Sequence, residues 1–191
     1  MNKLLPVSAA AVAALVSATA WAHPGVGEHA MGFSAGFAHP FGGLDHLLAM
    51  TGLGLWAASY DGKTRLALPF AFVLGMIGGG ALAVLGIGMP GVEIGIAGSV
   101  VAIGALIAFG ARLPALAAIA VAVVSAVFHG HAHGTEMSGL SAAVGVILAT
   151  AVLHAVGLGL GAAAASPRFT KVVRVAGSLV AAAGVGLLAA G

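Results

Sequence analysis

The chain has 191 residues, of which 61% are hydrophobic and 6% charged, and its formal net charge is +2. Because soluble domains carry about 25% charged residues, this composition indicates an integral membrane protein. The small net charge argues against a nucleic-acid partner, and the absence of cysteine excludes disulfides and thiolate metal sites.

Residues 1–22 have the features of a cleaved secretory signal peptide. A basic start and a short apolar run precede Ala20-Trp21-Ala22, which matches an A-x-A cleavage site. An uncleaved first membrane helix is the alternative. Cleavage would leave residues 23–38 as a periplasmic N-terminal segment. In that segment His23, as the new N-terminal residue, and His29 are secondary candidate metal ligands.

Residues 39–191 contain six apolar runs of about 20 residues, each long enough to cross a hydrocarbon layer of roughly 30 Å. Glycine, proline and polar residues separate the runs, and the many glycines within them favour close helix packing. We therefore predict an all-α integral membrane protein with one domain of six transmembrane helices. The predicted spans are 40–60, 66–88, 92–110, 114–133, 138–163 and 171–190.

The basic residues predict the orientation. After Lys3, all of them follow the first, third or fifth predicted span. We therefore expect a multi-pass protein of the bacterial inner membrane. Because loops rich in Lys and Arg stay in the cytoplasm, its mature N-terminus and its C-terminus are both expected on the periplasmic side. These basic residues are Lys63, Arg65, Arg112, Arg168, Lys171 and Arg174.

A first polar cluster opens the first predicted span with His39, Asp45 and His46. The two histidines are two helical turns apart, so we expect them on nearly one face of a helix that has Pro40 in its first turn. Ionisable groups within a span are costly and usually mark a functional site. Asp45 is either a hard oxygen ligand or the carboxylate that orients a histidine ring.

A second polar cluster ends the fourth predicted span. His129, His133 and Glu136 share one face if the helix continues to Glu136; otherwise the last two lie on a loop. The negative end of the helix would favour a cation there. His131 points elsewhere and is a secondary candidate ligand. Imidazole and carboxylate without thiolate suit nickel, zinc, cobalt or Cu(II), and this chemistry does not choose among them.

Two further residues are secondary candidate ligands. Glu93 begins the third span and could join the periplasmic site, although a glutamate in the first turn of a helix is favourable by itself. His154 lies within the fifth span. It is either a lower station on the route of an ion or a helix–helix hydrogen-bonding residue.

The two clusters resemble the signatures of the HupE/UreJ family of bacterial nickel/cobalt permeases. Its His-x5-Asp-His motif matches His39, Asp45 and His46, and its Phe-His-Gly-x-Ala-His-Gly-x-Glu motif matches residues 128–136. The resemblance implies a cleaved signal, six spans, and import of nickel, or cobalt, to supply a nickel metalloenzyme. It implies membrane lipid and a transported divalent ion as partners, no prosthetic group and no enzymatic activity.

Two other functions fit the same residues. One is an intramembrane hydrolase that holds zinc with His and Asp, in which Glu136 or Asp45 activates a metal-bound water. The other is a bis-histidine haem protein, which needs facing histidines near the middle of the membrane. The two clusters instead lie near one surface.

Overall fold

The computed structural model describes residues 30–191. The predicted signal peptide 1–22 and the candidate ligands His23 and His29 lie outside the described residues. The described part is almost entirely helical, which confirms the all-α class. Its elements are β1 (Ala30–Met31), α1 (Phe33–Gly42), α2 (Leu44–Ala57), α3 (Gly62–Val84), α4 (Val92–Phe109), α5 (Ala115–Glu136), β2 (Met137–Ser138), α6 (Leu140–Ala163), a 3-10 turn (Pro167–Phe169) and α7 (Thr170–Ala190).

Five segments of the described chain are long and apolar enough to cross a membrane. They are α3, α4, α5, α6, and α7 with the turn before it. Their 18 to 24 residues correspond to roughly 27–36 Å at a rise of about 1.5 Å per residue. Their bounds agree closely with the second to sixth predicted spans.

The first predicted span, residues 40–60, is not a single helix, and that prediction is wrong. The backbone becomes extended at Gly43, with φ −96° and ψ 122°, and α2 starts at the next residue. Gly42 and Gly43 have the low helix propensity that permits such a break. The segment is therefore divided between α1 and α2, of 10 and 14 residues.

A short parallel pairing fixes where α1 begins. Ala30–Met31 of β1 pairs with Met137–Ser138 of β2, so the chain entering α1 lies beside the chain leaving α5. No strand was predicted here. Helix α1 starts at Phe33, before the predicted domain start at residue 39, and Pro40 lies inside this helix rather than in its first turn.

The helices approach each other closely at glycines, as the sequence predicts. Gly79 of α3 faces the backbone of α5, Gly157 of α6 faces that of α2, and Gly104 of α4 faces that of α7. A Cβ atom at any of these positions would overlap with backbone atoms of the partner helix. Backbone approach of this kind is typical of membrane helices.

Many large apolar side chains face outward, whereas most of the described histidines are buried. Leu116, Leu140 and Phe109 are 79% to 82% exposed, and His129 is fully buried. An apolar exterior suits lipid contact, so the chain is a multi-pass membrane protein. The apolar centre of the bundle includes Met50, Leu53, Trp56, Leu68, Phe72, Val100 and Ile103.

Candidate metal centre

The break between α1 and α2 positions the first motif. His39 lies in the last turn of α1 and His46 in the first turn of α2, so the prediction that they share one face of one helix is wrong. Their ring centroids are nevertheless 6.0 Å apart, with the rings nearly perpendicular. The extended backbone at Gly43 brings these two rings together, whereas the prediction had attributed their proximity to helical periodicity.

The second motif occupies the last turns of α5. This helix continues to Glu136, as one of the two alternatives predicted, so His129, His133 and Glu136 lie along one side of it. The ring of His46 is 4.8 Å from that of His129 and 4.5 Å from that of His133, between centroids. The ring of His39 is 5.1 Å from that of His133. The two motifs therefore form one cluster.

Three side chains of the cluster offer ligand atoms to a common point. His39, His133 and Glu136 each provide one atom, and these atoms lie within 4.8 Å of one another. His39 Nε2 is 3.0 Å from Glu136 Oε2. Ligand atoms on opposite sides of one ion are about 4 Å apart, so a small rotation of the side chains would let all three contact the same metal.

Several imidazole nitrogens of the cluster are free to act as ligands. Both ring nitrogens of His133, Nε2 of His46 and Nδ1 of His129 are buried and have no hydrogen-bond partner among residues 30–191. Buried polar atoms are normally hydrogen-bonded, because each unpaired one costs about 1–3 kcal/mol. Their convergence at one point fits a cation-binding site better than a packed core.

Asp45 orients His46. Its Oδ1 atom accepts hydrogen bonds from the backbone N–H of His46, at 2.7 Å, and from Nδ1 of the same residue, at 2.8 Å. Nδ1 then carries the proton, which leaves Nε2 with a free lone pair. Of the two roles considered for Asp45, this geometry favours the orienting carboxylate.

Ser99 of α4 orients His129 in the same way, and sequence reasoning missed it. Ser99 Oγ donates its one proton to the carbonyl of Ile96, at 2.7 Å. The same oxygen is 2.9 Å from His129 Nε2, so it accepts a proton from that nitrogen, and Nδ1 remains free. The available signal was a hydroxyl residue in the middle of an otherwise apolar span.

Comparison with known protein families identifies the chain. The model of the family described as HupE / UreJ protein matches residues 10–187. The chain belongs to the HupE/UreJ family. It is also 47% identical over 175 residues to Protein HupE of Rhizobium leguminosarum bv. viciae, covering 87% of this chain and 90% of that protein. No solved structure matches. Membership associates the chain with nickel or cobalt transport.

Three secondary candidates, His131, Glu93 and His154, fall within the described residues, and none of them is among the three residues whose ligand atoms lie close together. His131 Nε2 donates to the carbonyl of Ile87, at 3.0 Å, so this ring is engaged by backbone. Glu93 is exposed in the first turn of α4 and does not belong to the group of close ligand atoms. His154 is buried in α6, on the other side of an aromatic ring.

That ring belongs to Phe72 of α3, a second residue that sequence reasoning missed. Its centroid is 5.8 Å from that of His129 and 5.1 Å from that of His154. Phe72 is fully buried. It therefore separates the cluster of this HupE/UreJ protein from the deeper histidine. Nothing in the sequence distinguishes Phe72 from an ordinary apolar residue of a span.

Proposed function

We propose that this HupE/UreJ protein is a permease that imports Ni²⁺, with Co²⁺ as a second cargo, from the periplasm to the cytoplasm. The convergence of His39, His46, His129, His133 and Glu136 carries the proposal. Four imidazoles and one carboxylate form a donor set that suits late first-row divalent cations and disfavours Mg²⁺ and Ca²⁺.

The proposed direction is supported by the charge distribution. The cluster lies where α5 ends and α2 begins. Asp61 at the opposite end of these helices interacts with Arg65 and Arg112, at 3.4 Å and 3.8 Å. Because basic loops stay in the cytoplasm, the end with Arg65 and Arg112 is the cytoplasmic one in our proposal. The cluster at the other end then faces the periplasm.

The exposure of the ligands supports a stepwise capture. The side chains of His39 and Glu136 are 32% and 39% exposed, whereas His46, His129 and His133 are buried. In our proposal the hydrated ion first meets the exposed pair. It then exchanges water for the imidazoles behind them. Because a permease must also release its ion, we expect moderate affinity.

One observation favours a second candidate, an intramembrane zinc hydrolase. His39, His133 and Glu136 form a set of two histidines and one glutamate, which also occurs in catalytic zinc sites. A hydrolase would retain about one equivalent of zinc after dialysis, whereas a permease would release it. Metal analysis of the purified protein separates the two.

The test of the proposal is ⁶³Ni accumulation by intact cells at submicromolar nickel. Wild type is compared with empty vector and with Asp45→Asn and His133→Ala, at matched membrane expression. His131→Ala is the control, because it removes an imidazole from the same motif that is engaged with backbone. We expect saturable uptake in wild type and in the control, and its loss in the other two. Wild-type uptake equal to empty vector would refute import, and uptake in all variants would refute the site.

A further inference from the structure

A second group of potential ligands lies deeper in the bundle. Thr150 Oγ of α6 is 3.3 Å from Met50 Sδ of α2 and 3.6 Å from Met76 Sδ of α3. One hydroxyl has a single proton, so it can satisfy one sulfur at a time. Two thioethers on different helices therefore converge on one point of α6, and at least one of them keeps its lone pairs free.

His154 lies one turn beyond Thr150 on α6, on the same side of the helix. It is 2% exposed, and both its ring nitrogens lack a hydrogen-bond partner among the described residues. The buried His131 donates to a backbone carbonyl, whereas no hydrogen bond from the described residues holds the ring of His154. An imidazole buried in this way is costly unless it binds something.

His154 lies further along the proposed direction of transport than the histidines of the cluster. His154 is 14 residues from Leu140, the first residue of α6, which corresponds to about 21 Å along that helix. His129 is 7 residues from Glu136, the end of α5, or about 10 Å. Phe72 contacts both rings, so a single aromatic side chain stands between the two positions.

The geometry points to an inner metal station formed by Met50, Met76 and His154, which receives the ion after it leaves the periplasmic cluster. This inference rests on the proposed import function and adds a ligand type that the cluster lacks. Thioether sulfur is a soft ligand that holds divalent Ni²⁺ and Co²⁺ only weakly and rejects the hard ions Mg²⁺ and Ca²⁺. Having fewer nitrogen and oxygen donors, the station would bind more weakly and favour onward release.

Sulfur in the coordination shell of nickel is the deciding observation. The chain has no cysteine, so any sulfur bound to nickel comes from methionine. The purified full chain in lipid nanodiscs is loaded with two equivalents of NiCl₂ and measured by X-ray absorption at the nickel edge. We expect sulfur scattering in wild type and its loss in the double variant Met50→Leu, Met76→Leu. Leucine is close to methionine in volume, so the fold is retained.

Two matched variants complete the binding experiment. Met89→Leu, in the loop after α3, should leave the sulfur signal unchanged. His154→Leu should reduce the nickel bound in equilibrium dialysis from two ions per chain to one. Absence of sulfur scattering from loaded wild type, its persistence in the double variant, or two nickel ions bound by His154→Leu would each overturn the inner station.

Uptake kinetics give an independent readout. His154→Leu is expected to lower the maximal rate about tenfold and to leave the half-saturating nickel concentration within about twofold, because capture at the cluster is intact. Unchanged uptake in this variant would overturn the inference. If wild-type cells accumulate no nickel, the proposed import fails, whereas the sulfur measurement on purified protein still tests the inner station separately.

Discussion

The adjacent glycines Gly78 and Gly79 of α3 give a direct test of how closely α3 and α5 pack. A Cβ at Gly79 would overlap with the backbone of α5 at Val127, whereas a Cβ at Gly78 would meet no atom within 4 Å. Both are interior positions of the same helix. Because alanine has the higher helix propensity, replacing either glycine by alanine favours the folded helix by about 1 kcal/mol. The difference between the variants therefore isolates the packing cost.

That cost is expected to be large, because the overlapping atoms are backbone and cannot rotate away. Overpacking of this kind costs about 1–3 kcal/mol, so Gly79→Ala should be less stable than Gly78→Ala by this amount. It should also lower nickel uptake. A shift of α5 moves His129 and His133, and metal–ligand distances tolerate only about 0.2 Å.

The assay is reversible denaturation of the purified variants in mixed detergent micelles, followed by circular dichroism, together with ⁶³Ni uptake at matched expression. Gly78→Ala serves as the control and should match wild type or be slightly more stable. Equal stability of the two variants would refute the close approach of α3 and α5. Normal uptake by an unstable Gly79→Ala would refute the claim that this contact sets the position of the ligands.

Three further outcomes follow from the site. Ser99→Ala should lower nickel affinity about 10- to 100-fold by releasing His129, with folding retained, and a change under threefold in nickel titration would contradict this role. His131→Ala should cost about 0.5–1.5 kcal/mol of stability by freeing the carbonyl of Ile87, without loss of nickel binding. Protons compete with metal for imidazole nitrogens, whose unperturbed pKa is about 6.5. Uptake should therefore fall as external pH is lowered from 7.5 to 5.5, and a flat profile would count against histidine ligation.

Much of the architecture follows from local properties of the chain. Apolar runs of the length of a bilayer predict five spans whose helices are observed, because a backbone in lipid must satisfy its hydrogen bonds within each helix. The two motifs also identify the histidines that converge, since few other polar residues are available. The resemblance carried by these motifs leads to the family to which the chain belongs.

The tertiary structure decided the form of the site. The prediction from periodicity assumed that one helix runs through His39 and His46. The break at Gly43 depends instead on how α1 and α2 each pack against the rest of the bundle. Ser99 of α4 contacts His129 of α5, which is 30 residues away in sequence. No local sequence pattern encodes a contact between residues so far apart.

The same holds for the deeper group. Met50 and Thr150 look like ordinary residues of two apolar spans, and they become neighbours only because α2 and α6 pack side by side. Sequence alone thus determined which chemistry is present and roughly at what depth in the membrane. Helix packing, which depends on many weak contacts between distant residues, determined which atoms meet.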